Sequence, residues 1–157
     1  MNTKEKTVCF SGHRDFHDPK AEIEKSLEAA IRQCIDDGAE SFITGGALGY
    51  DTLAAWTVIR LREEYPQIKL VLALPCPPAA QTLKWKDEQK AEYEKIRELA
   101  DEEHILSTCY TRSCMLDRNR FMVDNSYRII HYLRSDRGGT RYTVNYAKKQ
   151  GIELIGI

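Results

Sequence analysis

Three stretches of the chain combine glycines with hydroxyl, guanidinium or carboxylate side chains, the residue types that recognise anions. They are Ser11-Gly12-His13-Arg14, then Thr44-Gly45-Gly46-Ala47-Leu48-Gly49-Tyr50-Asp51, and finally Gly138-Gly139-Thr140. A glycine turn that opens a helix aims unpaired backbone N–H groups and the positive end of the helix dipole at one point. Phosphate is the natural ligand of such a point. Arg14 can grip it with two parallel hydrogen bonds and Ser11 can donate another. His13 suits a ribose contact or acid–base work. Asp51, in the first turn after the second glycine group, either complements the dipole or accepts from a ribose hydroxyl. Arg118 and Asn119 add donors from a later helix, Thr140 either caps the last helix or donates to phosphate, and Trp85 offers a face to a base. Asp51 and Asp124 are the two carboxylates weighed as catalytic groups. The central group is neither the dinucleotide GxGxxG fingerprint nor a P-loop, because it lacks the GK[ST] ending.

These groups act together only if the fold gathers them. Apolar runs predict strands over 7–10, 41–44, 69–74, 104–107, 129–133 and 152–157. Between the first two, Ile23, Leu27, Ala30, Ile31, Cys34 and Ile35 recur at helical spacing, with Asp18 as the expected cap and Pro19 at the first position. Leu53, Ala54, Thr57, Val58, Leu61 and Tyr65 form the face of a second helix that Pro66 stops. Further helices are expected over 84–100 and 113–125, with a last one opened by Gly138-Gly139-Thr140, running through Ala147 and closing near Gly151. Strands alternating with helices imply a three-layer α/β/α domain over residues 1–157, with a mainly parallel six-stranded sheet in the expected order 3-2-1-4-5-6. Ligands of such sheets bind at the carboxyl ends of the strands, beside strand 1.

Composition narrows the partners. The chain is 42% hydrophobic and 30% charged with a net charge of −1, which argues against nucleic acid or an anionic membrane as partner. Five cysteines without a CxxC pair read as reduced thiols of a cytoplasmic protein. His104, Cys109 and Cys114 match no common zinc ligand spacing, so no metal is expected. The start, Met1 to Lys6, is polar, and the apolar run after it is too short for a signal peptide or a span. Homo-oligomerisation rests on the general frequency of dimers alone.

Taken together, the motifs resemble the YpsA-like branch of the SLOG superfamily, the group named for DNA-processing (Smf) and LOG proteins. The resemblance is carried by Ser11-Gly12-His13-Arg14, Gly45 through Asp51 with Ala54-Ala55, Leu74-Pro75, Gln81 with Trp85, Arg118-Asn119-Arg120-Phe121-Met122-Val123-Asp124, Gly138-Gly139-Thr140 and Tyr146-Ala147. It implies a Rossmann-like domain that holds a nucleotide or a nucleotide derivative such as an ADP-ribose relative at its glycine loops, with no cofactor otherwise. Two relatives give alternatives. LOG phosphoribohydrolases cleave N-glycosidic bonds with a glutamate that follows a Gly-Gly-Thr after two intervening residues, where this chain has Thr143 after Arg141 and Tyr142. DNA-processing proteins bind single strands and share the element seen in Gly49-Tyr50-Asp51 through Ala54-Ala55.

Overall fold

The computed structural model describes residues 3–157; Met1 and Asn2, part of the polar start, lie outside the described residues. Six strands alternate with helices along the chain: β1 (Thr7–Gly12), α1 (Lys20–Asp36), β2 (Ser41–Thr44), α2 (Tyr50–Leu61), β3 (Lys69–Leu74), a short α3 (Pro78–Gln81), α4 (Asp87–Leu99), β4 (Glu102–Ile105), α5 (Cys114–Asp124), β5 (Arg128–Tyr132), α6 (Gly139–Gln150) and β6 (Glu153–Gly156). All five strand pairings are parallel.

Alternation along the strands divides the core between the two faces of the sheet. Val8, Phe10, Phe42, Leu70 and Leu72 pack with α1, α2 and α4, where Leu27, Ile31, Tyr50, Val58 and Tyr93 meet them. Cys9, Ile43, Val71, Ala73 and Ile129 face the other way, under Met122 and Val123 of α5 and Ala147 of α6. The expected three layers are present.

The strand order is β4-β3-β2-β1-β5-β6, which corrects the expected 3-2-1-4-5-6. The fourth strand lies beside β3 at the edge, and the fifth takes the place next to β1. Composition explains the exchange. Ile129, Ile130 and Tyr132 of β5 are fully buried, as a central strand requires, whereas Glu102, Glu103 and His104 of β4 suit a half-solvated edge. β4 also begins two residues earlier than expected. The sense of winding reverses between β1 and β5, so the crevice still opens beside β1.

Two further expectations are corrected. α4 begins at Asp87 rather than residue 84, because Pro78 starts the separate turn α3. Asp18 does not cap α1: Pro19 holds the cap position without a side-chain bond. The Asp18 carboxylate instead accepts from the Tyr132 hydroxyl at 2.7 Å and from Arg134 Nε at 2.9 Å. A tertiary contact outcompetes the local one.

Candidate functional site

A cleft of about 1180 Å³ opens above the carboxyl ends of the strands. The loop after β1 supplies Ser11, Gly12, His13 and Arg14, the turn into α2 supplies Ala47, Leu48 and Asp51, and the α3–α4 segment supplies Gln81, Leu83, Lys84 and Trp85. Tyr110 and the α5 residues Met115, Leu116, Arg118 and Asn119 form a further wall, and Arg137, Gly139 and Thr140 close the β5 side. Ten of the fourteen predicted ligand residues therefore share one concavity. Gly45, Gly46, Gly49 and Gly138 are not among the lining residues, and Asp124 lies elsewhere, exposed, accepting from the Tyr146 hydroxyl at 2.7 Å.

The glycine turn between β2 and α2 is filled from within. Arg118 is buried, and its Nη1 donates to the Gly45 carbonyl and to that of Ala73 at 3.5 Å. Its Nε donates to Asn119 Oδ1 at 2.8 Å. Gln81 Nε2 donates to the Gly46 carbonyl at 3.3 Å, while Gln81 Oε1 accepts from the Tyr93 hydroxyl at 2.8 Å. In a trans peptide the carbonyl and the following N–H point in opposite directions, so tying down both carbonyls turns the amides the other way. There the Ala47 N–H donates to Asp51 Oδ2 at 3.1 Å. The anion held by this turn is the chain's own carboxylate. Burial pushes the Asp51 carboxyl above its ordinary range, opposed by Arg118, by the Ala47 and Gly45 N–H groups and by Arg14. Burial lowers the Arg118 guanidinium while Asp51 pulls it up, and it stays protonated.

Side chains of the fold also dictate these glycines. A Cβ at Gly45 would occupy the Arg118 guanidinium, and one at Gly12 would enter the Tyr50 ring. At Gly49 the backbone has a φ of 78°, and a Cβ would overlap the Arg14 carbonyl. Tyr50 anchors this corner by donating its hydroxyl to the Ile130 carbonyl at 2.9 Å and its N–H to the His13 carbonyl at 3.1 Å.

The turn into α6 is the opposite. Nothing lies within 4 Å of a Cβ placed on Gly138 or Gly139. The first amides of α6 have no intrahelical acceptor. Thr140 and Ser11 are buried polar residues that line the cleft, and neither side chain makes a hydrogen bond among the described residues. Arg14 and Arg137, both exposed at the cleft, have side chains without an acceptor there. Thr143, where LOG enzymes carry glutamate, donates its hydroxyl to the Gly139 carbonyl at 2.8 Å. His13 is committed to the wall: its Nε2 accepts from the Arg134 N–H at 2.7 Å. Burial, helped by His17 and Arg134, holds its pKa below the ordinary histidine value.

Several lining residues were not singled out as ligand contacts from the sequence. Arg137 directly precedes Gly138-Gly139, a position that could have flagged it, whereas Tyr110 sits in a loop without periodicity. Trp85 lines the cleft as expected, with the Tyr93 ring edge-on at 5.3 Å. Among the described residues, no group of three or more His, Cys, Asp and Glu side chains is arranged to hold a metal ion. No helix of these residues is long and apolar enough to cross a membrane.

The sequence model of the YpsA family, described as the YspA SLOG family, matches residues 9–153. The chain belongs to this family. It is 32% identical over 140 residues to the SPbeta prophage-derived protein YoqJ of Bacillus subtilis, covering 81% of each chain. It is 33% identical over 131 residues to a UPF0398 protein of Bacillus velezensis, covering 82% of this chain and 71% of that one. Among solved structures, DNA processing protein A of Streptococcus pneumoniae superposes with a TM-score of 0.69 at 18% identity, over 98% of this chain and 50% of that one. The corresponding protein of Helicobacter pylori, described for its single-stranded DNA binding mode, gives 0.66 at 19% identity, over 98% and 65%. The chain thus spans only half to two thirds of these two structures, and the likeness establishes a common fold.

That likeness corrects one expectation. The net charge of −1 argues against nucleic acid as a partner, yet this fold occurs in a protein described for its single-stranded DNA binding. Net charge averages over the whole surface. The cleft is lined by four cationic side chains, Arg14, Lys84, Arg118 and Arg137, against the two carboxylates Asp15 and Asp51.

Proposed function

We propose that the cleft binds an anionic nucleotide-type ligand, with phosphate at the start of α6 and a base against Trp85. The observation that carries this reading is the division of the lining. At the β1–β5 side stand the unpartnered hydroxyls of Ser11 and Thr140 with the free guanidinium groups of Arg14 and Arg137. Toward β3 and β4 the wall becomes aromatic and apolar, with Trp85, Leu83, Tyr110 and Met115. An apolar wall with a few convergent polar groups is the usual anatomy of a small-molecule site. Arg14 suits two-point recognition of phosphate, and Asn119 keeps its Nδ2 donor for a ribose, since its oxygen is held by Arg118. Asp51 acts inward, as the internal anion of the first glycine turn.

A thermal-shift panel of nucleoside mono- and diphosphates and ADP-ribose tests this reading. A ligand at about 100 times its dissociation constant should stabilise the protein by roughly 2.7 kcal/mol. A panel in which no member shifts the transition rejects it. The cationic rim, on a fold shared with a protein described for its single-stranded DNA binding, favours a second occupant of the same cleft, a single-stranded nucleic acid. Its signature would be a linear fall of log affinity with log salt, by about 0.7 per phosphate neutralised.

A further inference from the structure

Three large apolar side chains stand exposed among the described residues, and two of them, Leu83 at 71% and Tyr110 at 61%, line the cleft. They come from separate segments, Leu83 from between α3 and α4 and Tyr110 from between β4 and α5. Half-buried Met115 and Leu116 of α5 adjoin the same wall. Exposed apolar groups that converge in one concavity mark a surface meant to be covered.

The strand order locates this surface. Across the sheet, the lining segments follow β5, β1, β2, β3 and β4 in turn. At about 4.8 Å per strand, the four steps from the β5 loop to the β4 loop span roughly 19 Å. Thr140, Arg14 and Arg137 hold one end. Trp85 belongs near the middle, because it also lines a second, small cavity together with Leu48 and Asp51 of the β2 turn. Tyr110, from the segment after β4, marks the far end, and the exposed Leu83 and Lys84 precede Trp85 in the chain, Lys84 without an acceptor among the described residues. A mononucleotide anchored at Thr140 and stacked on Trp85 would leave the far end bare. The volume of about 1180 Å³ also exceeds what one nucleotide needs.

Building on the nucleotide reading above, we infer that the cleft recognises a 5′-phosphorylated dinucleotide unit. Its terminal phosphate lies at Thr140 and Arg14, its first base on Trp85, its bridging phosphate near Lys84 and its second base between Leu83 and Tyr110. The unit is either a free dinucleotide or the 5′ end of a longer strand.

Calorimetric titration compares thymidine monophosphate, ADP-ribose, the thymidine dinucleotide with and without its 5′ phosphate, and a 12-mer with and without its 5′ phosphate. The phosphorylated dinucleotide should bind roughly 5- to 150-fold tighter than the mononucleotide, the gain expected from one stacked base. Tyr110→Ala and Leu83→Ala, both at exposed positions, should remove that gain, so that mono- and dinucleotide bind alike. Equal binding of mono- and dinucleotide, or ADP-ribose binding tightest, overturns the inference while leaving the nucleotide reading intact. Failure of every ligand overturns both. A 5′-phosphorylated 12-mer equal to the dinucleotide supports the inference with the strand end as the source, and one that fails to bind supports it with the free dinucleotide. A 12-mer that binds far tighter regardless of its 5′ phosphate overturns it in favour of internal strand binding.

Discussion

The two glycine turns that open α2 and α6 begin as the same motif and end as opposites. In the first, Arg118 and Gln81 hold the carbonyls of Gly45 and Gly46, and the Asp51 carboxylate takes the Ala47 amide. In the second, a Cβ on Gly138 or Gly139 would meet nothing within 4 Å, and the Gly139 carbonyl accepts only from Thr143 of the same helix among side chains of the described residues. Thr140 lines the cleft without a side-chain hydrogen bond among those residues. One turn is filled by the protein's own side chains and the other is open to the cleft. Glycine content alone does not separate a binding loop from a packing loop; the destination of each backbone group does.

The largest test of this contrast substitutes glycines in pairs. Gly49→Ala places a Cβ on the Arg14 carbonyl at a positive φ, and should cost more than about 3 kcal/mol in denaturant unfolding or prevent folding. Gly139→Ala meets nothing within 4 Å and should change stability by less than about 1 kcal/mol. Equal damage at both positions would erase the distinction. Next, Arg118→Ala removes a buried cation beside Asp51 and should destabilise by about 3 kcal/mol or more. Arg118→Lys should restore little, since one ammonium cannot reproduce the fork that meets Gly45, Ala73 and Asn119. Unchanged stability with lost ligand affinity would instead make Arg118 a ligand contact.

Smaller effects are expected on the open side. Thr140→Val should weaken phosphate-bearing ligands about tenfold, the worth of one hydrogen bond to a charged group. Its unfolding free energy should stay within about 0.5 kcal/mol, because the hydroxyl has no partner in the protein. A large stability loss would show that the second turn is self-satisfied after all. The subtlest test is pH. Folding raises the Asp51 pKa through burial, so the stability it contributes is fully present below the ordinary aspartate value and is lost as pH rises through the raised one. Asp51→Asn removes that titration, and the variant should gain relative to the parent as pH rises across this interval in parallel urea melts. A pH-independent difference would contradict the burial of Asp51 as the dominant influence.

Much of the scaffold is legible in the chain because it follows local periodicity. The unbroken apolar run of β3 announces a strand covered on both faces, and the spacing of Ile23, Leu27 and Ile31 announces α1. The exchange of the fourth and fifth strands was misread because periodicity says what a segment is and not which neighbour it takes. The acidic pair Glu102 and Glu103 was the available sign of an edge. The residues around the cleft were found by type, but their tasks depend on distant partners. Arg118 is separated from Gly45 by 73 positions and Gln81 from Gly46 by 35, so no local pattern could show that these side chains fill the first turn. Tyr110 and Leu83 are exposed apolar residues whose meaning appears only when the strand order brings their segments to one cleft.

The meeting of Gly45 with Arg118 also bears on how such a sequence can drift. A side chain at 45 needs the space that the guanidinium fills, and the guanidinium in turn needs the Gly45 carbonyl. Neither position can change first without a penalty imposed by the other. Lineages that keep the inward-turned Asp51 should therefore inherit Gly45 and Arg118 as a pair. A descendant with a larger residue at 45 should have lost the arginine and released the first turn for some other anion.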